Sequence, residues 1–393
     1  MLLRSGLRVG VATHEEAGRA TVPGRRSRAG PDRLADFPED ILQEILVHLP
    51  AKSVLRCRAV CRQWRRLASD PVFLLDHHRR QPELALISSY RTSTGDYPSL
   101  EALHLRGAEF RPLFGFPELS RFPLTVDGSC DGLFIVGHYI CNPATRQSAT
   151  VSPNLKLPID KLIGLFRHQP SGEYRVLYWR NLPYALSNLP WHVMPCPHEY
   201  RVLTVGTNKS WRVDCPLMEV IAERPAIFGA PVLLNGNLHI HWRRPSGVRY
   251  HKILMFDTTA ETFRRMIPPA VNPHHVMHLL DMGGKLAASI SKDDTTVMSI
   301  FILKNGDVWA FQYQIKVPVM DLEKRFQEQQ GNWWAKVVSE EGDVLVSCYG
   351  QLLHCDKGGN LVANFKVDDE MPVVVPHRLK ESLIQHTFFL EKS

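Results

Sequence analysis

The sequence predicts a two-part chain: a small helical unit, then a long all-β region closed as a propeller-like ring of about six blades. Three observations carry this. Apolar residues recur at helical spacing, punctuated by prolines, over residues 37–77. After Pro82 the texture changes to short strands of alternating apolar and polar residues. Turn residues in that second part then recur in pairs at intervals of about fifty residues, the arithmetic of a four-stranded blade. A β-sandwich, the competing architecture, carries no such long-range repeat. The expected divisions are a basic disordered tail over 1–33, a helical unit over 34–78 and a β domain over 84–390.

The tail holds seven arginines and net charge +4, with no periodic apolar face. An organelle transit peptide is the alternative reading, weakened by Glu15 and Glu16. The helical unit carries about +2 of the total +7, which leaves the β region near neutral. A nucleic-acid binder concentrates basic residues on its folded domain, so that class is disfavoured. No apolar run approaches eighteen residues, so no membrane span is expected. Eight scattered cysteines form no Cys-x-x-Cys pair and read as reduced thiols of a cytoplasmic or nuclear protein.

Within the helical unit, Asp36 reads as an N-cap, with Glu39 closing a capping box and Pro38 in the first turn. Ile41, Leu42, Ile45, Leu46 and Leu49 then line one face. Pro50 stops this helix, because a proline disfavours helical geometry in the residue before it. A second helix is expected to carry Val54, Leu55, Val60, Cys61, Trp64 and Leu67, with Arg58, Arg62, Arg65 and Arg66 on its other sides. Asp70-Pro71 opens a third through Phe73, Leu74 and Leu75. A unit of roughly forty residues is near the size that needs outside help to be stable, and it shows apolar residues on more sides than it can cover. Surplus apolar helical surface marks a partner site.

At these positions the chain resembles the F-box. The family pattern is met by Phe37-Pro38, Glu39-Asp40, Ile41 to Leu46, Leu49-Pro50-Ala51-Lys52-Ser53-Val54-Leu55 and Arg56-Cys57-Arg58-Ala59-Val60-Cys61-Arg62-Gln63-Trp64. Phe37 replaces the commoner leucine and keeps the position apolar. The resemblance implies docking to a Skp-type adaptor on a cullin scaffold, through Phe37, Pro38, Ile41, Leu42, Ile45, Leu49, Pro50, Leu55, Val60, Cys61 and Trp64.

In the β region, Asn235-Gly236, Gly283-Gly284 and Glu341-Gly342-Asp343 read as one series of hairpin turns. Asp257-Thr258-Thr259, Asn305-Gly306-Asp307 and Asp356 to Gly359 read as the other. Asp127-Gly128 with Asn142 to Thr145, and Pro170-Ser171-Gly172 with Asn208-Lys209, read as degenerate copies. These pairs give five blades, and Leu84 to Leu113 supplies strands for a sixth. A polar helix is expected over 321–330. The region resembles the plant F-box-associated domain through GSCDGLFIV, CNPATRQ, EYRVLYW, SWRV, NGNLHIHW and the GDVLV…LLHCDKGGNL close. That resemblance implies a module that recruits a target protein. The two modules are expected to have separate cores.

Enzymatic chemistry finds no foothold. There is no Gly-x-Ser-x-Gly elbow, phosphate loop or dinucleotide fingerprint. His274, His275 and His278, and separately His192, Cys196 and His198, fall short of a zinc ligand set, so no metal or other cofactor is expected. Paired carboxylates at Asp293-Asp294 and Asp368-Asp369 read as solvated turns. Candidate target-binding residues are Trp179, Tyr184 and Trp191, in a proline-rich aromatic stretch; packing between blades is the favoured reading for such rings. The expectation is a non-catalytic, substrate-recruiting subunit of a ubiquitin ligase. Its rivals are an F-box interaction protein outside ubiquitination and a propeller enzyme or sugar-binding module.

Overall fold

A computed structural model describes residues 38–92, 95–107, 109–116, 124–153, 155, 160–181, 198–215, 226–227, 229–243, 251–292, 297–304, 307–316, 334–348, 351–367 and 372–390. The helices expected near the N-terminus number four among these residues rather than three: α1 (Glu39–Val47), α2 (Ala51–Cys57), α3 (Arg62–Leu67) and α4 (Pro71–Arg80). The expected second helix breaks after Cys57, and Cys61 sits in extended backbone as the residue before α3. The break is held from within. Arg58 folds back to donate from Nε to the Ala68 carbonyl at 3.0 Å, and Arg65 Nε donates to the Arg58 carbonyl at 3.0 Å. Arg58 is therefore not a solvated arginine, and burial pulls its pKa down.

The start of α1 also differs from expectation. Pro38 is the residue before the first turn and no side chain caps it, while Glu39 pairs with Arg66 of α3 at 2.6 Å. Asp36 lies outside the described residues. Asp70 behaves as read, its Oδ1 accepting from the backbone of Val72 at 2.9 Å and Phe73 at 3.0 Å. The turn at Pro50 is secured by α4, because the Leu49 carbonyl accepts from His77 Nε2 at 2.8 Å.

The strands form six antiparallel sheets among the described residues. Blade II is Val126–Cys130, Leu133–Val136, Tyr139–Asn142 and Gln147–Thr150; blade III is Asp160–Arg167, Tyr174–Asn181, His198–Thr204 and Ser210–Val213. Blade IV pairs Ala226–Ile227 and Val232–Leu234 with Asn237–Arg243, followed by His251–Asp257 and Thr262–Met266. Blade V is Val276–Asp281, Leu286–Ser291, Val297–Lys304 and Val308–Lys316; blade VI is Trp334–Val337, Val344–Cys348, Gln351–Cys355 and Leu361–Lys366.

Blade I mixes the two ends of the β region. Glu83–Thr92, Gly95–His104 and Glu109–Gly115 are joined by Val373–Lys380, which pairs antiparallel with the first of them, Glu83 opposite Lys380. The ring is closed by this strand exchange. Packing agrees: each neighbouring pair of blades shares one apolar cluster, and the sixth joins Leu345, Leu352 and Phe365 of blade VI to Ala85, Ile87 and Val374 of blade I. Alternation lets one strand serve two interfaces. In blade II Phe134 and Val136 face blade I, while Leu133 and Ile135 face blade III.

Asn235-Gly236 forms the hairpin turn predicted for it, both residues taking positive φ at 49° and 70°. Asp127-Gly128 does not. These residues lie inside the first strand of blade II, and the turn is Asp131-Gly132. Gly128 serves close packing instead, since a Cβ there would stand 2.5 Å from the Leu165 backbone nitrogen of blade III. The stretch 321–330 lies outside the described residues.

The two modules do not have separate cores. Leu383, just beyond the closing strand, is fully buried among Leu42, Leu46, Phe73 and Leu74 of the helices. His78 Nδ1 lies 2.9 Å from the Glu381 carbonyl, and Asn142 Nδ2 of blade II donates to the Ser382 carbonyl at 3.1 Å. Farther on, Phe388 packs against Gly206 and Tyr174 of blade III. Residues 381–389 thus run between helices and blades and touch both.

Candidate functional site

The helical unit has an inner and an outer apolar face, assigned by helical spacing and by what each residue meets. Leu42, Leu46 and Val47 of α1 turn inward with Ala51, Val54, Leu67, Phe73 and Leu74. Ile41 and Ile45, four apart on the other side of α1, are 46% and 51% exposed, although isoleucine is among the residue types most often buried. Val60, in the loop before α3, is 52% exposed, and Pro38 and Pro50 are exposed as well.

The residues assigned to adaptor contact therefore separate into three groups. Pro38, Ile41, Ile45, Pro50 and Val60 present apolar surface to solvent. Leu49, Leu55, Cys61 and Trp64 are half-buried, and Leu49, Leu55 and Trp64 also pack on the helical core. The Trp64 Nε1 hydrogen is buried and unpartnered among the described residues. Leu42 is only 3% exposed and supports the outer face from beneath. Phe37 lies outside the described residues.

Charges frame this surface. Arg80 of α4 reaches Glu44 at 3.2 Å, and Glu44 also accepts from His48 at 3.2 Å. Both partners hold the Glu44 carboxyl below its ordinary pKa. These pairs are exposed and contribute orientation rather than much stability. Val72, 72% exposed at the start of α4, is a further exposed apolar residue, and its place directly after the Asp70-Pro71 start is its only signal in the sequence.

On the β side, Trp179 is not a surface anchor. It is 6% exposed within the core between blades III and IV, edge-on to Tyr200 at 6.4 Å, with Lys161 Nζ 5.5 Å from its ring centroid. Tyr184 and Trp191 lie outside the described residues. Strand direction nevertheless fixes which face is which. The helices enter blade I at Glu83, beside Lys380 at the end of the closing strand, and so lie on the face carrying turns 131–132, 235–236 and 283–284. The ends of blade III at Asn181 and His198 lie on the opposite face.

Of the described cysteines, the two fully buried ones, Cys141 and Cys355, are not reactive centres. Cys57, Cys61, Cys130, Cys141, Cys215 and Cys355 are free, and burial pushes Cys141 up to about 12 and Cys355 to about 11. Of the expected histidine clusters, His274 and His275 lie in the connection before blade V while His278 is inside its first strand. Among the described residues no group of three His, Cys, Asp or Glu stands close enough to hold a metal ion.

Two family models match the chain. An F-box-like model covers residues 34–80, and the F-box associated beta propeller domain covers residues 119–354. Among curated relatives from Arabidopsis thaliana, the F-box protein CPR1 is 25% identical over 325 residues, 72% of this chain and 74% of that protein. The F-box protein At5g49610 is 31% identical over 250 residues, 59% of this chain and 64% of that one. The probable F-box protein At5g47300 is 24% identical over 289 residues, and the chain spans 65% of its length. With a propeller model matched over more than half its residues and an F-box model ahead of it, this chain belongs to the F-box proteins that carry an F-box associated beta propeller domain.

Proposed function

We propose that this protein is the substrate-recruiting subunit of a cullin-based ubiquitin ligase, acting by proximity and without catalytic groups of its own. The outer helical face, centred on Ile41 and Ile45, holds a Skp-type adaptor. The propeller holds a target protein on the face turned away from the helices. One observation carries the reading: two isoleucines stay half exposed on a unit whose inner core is already filled by Leu46, Phe73 and Leu383. The ring positions a target relative to the ligase, which raises the effective concentration of the acceptor lysine near the conjugating enzyme. Shared packing around residues 381–389 favours this role, because a fixed helix-to-ring geometry fixes the gap that ubiquitin has to cross.

Co-purification from plant cells, with proteins identified in each pull-down, tests the proposal. Wild type is expected to bring down adaptor, cullin and a set of further proteins. Ile41→Asp with Ile45→Asp should lose adaptor and cullin and keep the further proteins. Adaptor and cullin retained at wild-type levels would refute the assignment. Their absence from the wild-type sample would favour an F-box interaction protein outside ubiquitination.

A further inference from the structure

The ring is closed by one non-covalent ladder, and the helical unit holds both of its strands. Blades II to VI are each built from one continuous run of chain. Blade I takes a strand from the far end instead, and Val373–Lys380 pairs with Glu83–Thr92 and with no other strand among the described residues. The register of this ladder slips between Ala85, opposite Arg378, and Leu86, opposite Val375. Its end toward the helices is therefore a short separate piece, Glu83 to Ala85 against Arg378 to Lys380.

Both strands of that piece lead straight into the helices. On one side Gln81 directly follows α4, is buried, and donates from Nε2 to the Leu49 carbonyl at 3.3 Å; Glu83 comes two residues later. On the other side Lys380 leads into Glu381, Ser382 and Leu383, all buried. Glu381 is gripped twice. Its carboxylate accepts from Arg111 of blade I at 2.9 Å, and its carbonyl accepts from His78 Nδ1 of α4 at 2.9 Å. The Ser382 carbonyl accepts from Asn142 of blade II at 3.1 Å. Gly132 in the neighbouring turn leaves room for this bend, since a Cβ there would stand 2.5 Å from the Ser382 Cβ and 2.6 Å from the Lys380 carbonyl oxygen. Leu383 then ends in the core of α1 and α4.

Ladder ends open locally unless something beyond them holds the chain. Here, parting Lys380 from Glu83 moves residues 381–383, and these cannot move far without drawing Leu383 from between Leu42, Leu46, Phe73 and Leu74. The helices lose part of their core in the same event. Farther along the strand Lys336 donates to the Val374 carbonyl at 2.7 Å and His377 Nδ1 lies 2.9 Å from Ser129 Oγ, so that end is held by the ring itself. Opening is confined to the piece beside the helices.

We propose that the helical unit is the latch of the ring, so that a ligand on the outer helical face suppresses opening of the closing ladder at Glu83 and Lys380. The link to the adaptor rests on the reading of Ile41 and Ile45 given above; the latch itself does not. A ligand that binds only the closed form makes opening rarer by the factor 1 + [L]/Kd, which is about a hundredfold at 100 times Kd. A chain without adaptor then opens its ring more often than one assembled into a ligase. By reciprocity, a target that holds blade I closed tightens adaptor binding.

Amide hydrogen exchange of the full chain, with and without a purified Skp-type adaptor, tests this. Without adaptor, Leu383→Ala should speed exchange in α1 and α4 and in residues 378–380 together, by about tenfold or more, while residues 253–257 of blade IV keep the wild-type rate. Adaptor at 100 times its Kd should slow both regions of the wild type by about a hundredfold. In Leu383→Ala the same occupancy should still slow the helices, with the response of 378–380 smaller by roughly tenfold or more. Should that variant lose its helical fold, Leu383→Val gives the second reading, with exchange in both regions faster by about threefold or more. Helices that loosen while 378–380 keep wild-type exchange, or bound adaptor that protects the helices and not the ladder, would overturn the proposal. An adaptor that does not bind overturns the adaptor assignment instead, and the two variants still decide the latch.

Discussion

Leu383→Ala tests whether the helices and the ring are one cooperative structure. The Leu383 side chain is fully buried against Leu42, Leu46 and Phe73, yet it belongs to the segment that follows the last strand of the ring. Leucine-to-alanine truncation at such a site costs about 2–5 kcal/mol, the spread reflecting how far the cavity collapses. The helical unit is the smaller partner and depends on this contact for part of its core, so the loss should fall on it. At about 1.4 kcal/mol per tenfold, opening of α1 and α4 should become about thirty- to several-thousandfold more frequent. Amide hydrogen exchange on the full chain reads this directly. Protection should fall in Leu42, Leu46, Phe73 and Leu74 and stay at wild-type level in the blade IV and V strands, far from the contact. Unchanged helical protection, or an equal fall across all six blades, would refute the shared core.

Three further outcomes follow from the same packing. Leu55→Ala with Trp64→Ala, both half-buried and packed on the helical core, should weaken adaptor capture and also lower the helical unfolding midpoint in urea; a folded double variant with full capture contradicts this. Gly128→Ala forces a Cβ into the 2.5 Å gap before the Leu165 nitrogen, so blades II and III must separate; a loss of about 1–3 kcal/mol, seen as a melting temperature lower by a few degrees, is expected, and no change would dismiss the close approach. His278, His377 and His386 have folded pKa values near 4, below the usual 6.5, so the unfolded chain takes up more protons between those values. Their contribution, up to about 3 kcal/mol each, is present above pH 6.5 and lost as pH falls toward 4; melting temperature should drop between pH 7 and pH 5, and a flat profile would contradict their burial as neutral rings.

Much of this fold is written in local patterns. Helical spacing from Ile41 to Leu49, the Asp70-Pro71 start and the alternating strands each follow from side-chain period and turn chemistry, which are properties of short windows. What escaped were contacts between distant positions. Val373–Lys380 closes the ring only because its partner, Glu83–Thr92, lies almost three hundred residues earlier. Leu383 is apolar, yet nothing near it in sequence says that it fills an F-box. Gly128 looked like a turn glycine because close strand approach and tight turns both select glycine. The break between α2 and α3 depends on Arg58 reaching Ala68, and an arginine in a basic helix ordinarily reads as solvated. The outer surface is legible as a set of residues but not as a face: Ile41 and Leu42 are neighbours in the chain, about 100° apart on the helix, and one is exposed while the other is buried.

The affinity of the full chain for a purified Skp-type adaptor, wild type against Ile41→Asp with Ile45→Asp, tests the central claim most directly. Both side chains point to solvent in the free protein, so the change leaves the core around Leu46 and Leu383 intact, and thermal unfolding should match wild type. If they anchor the interface, the loss should be about 2–4 kcal/mol, or roughly thirty- to a thousandfold in Kd. A variant that unfolds like wild type and binds adaptor with unchanged affinity would place the ligase contact elsewhere on the molecule.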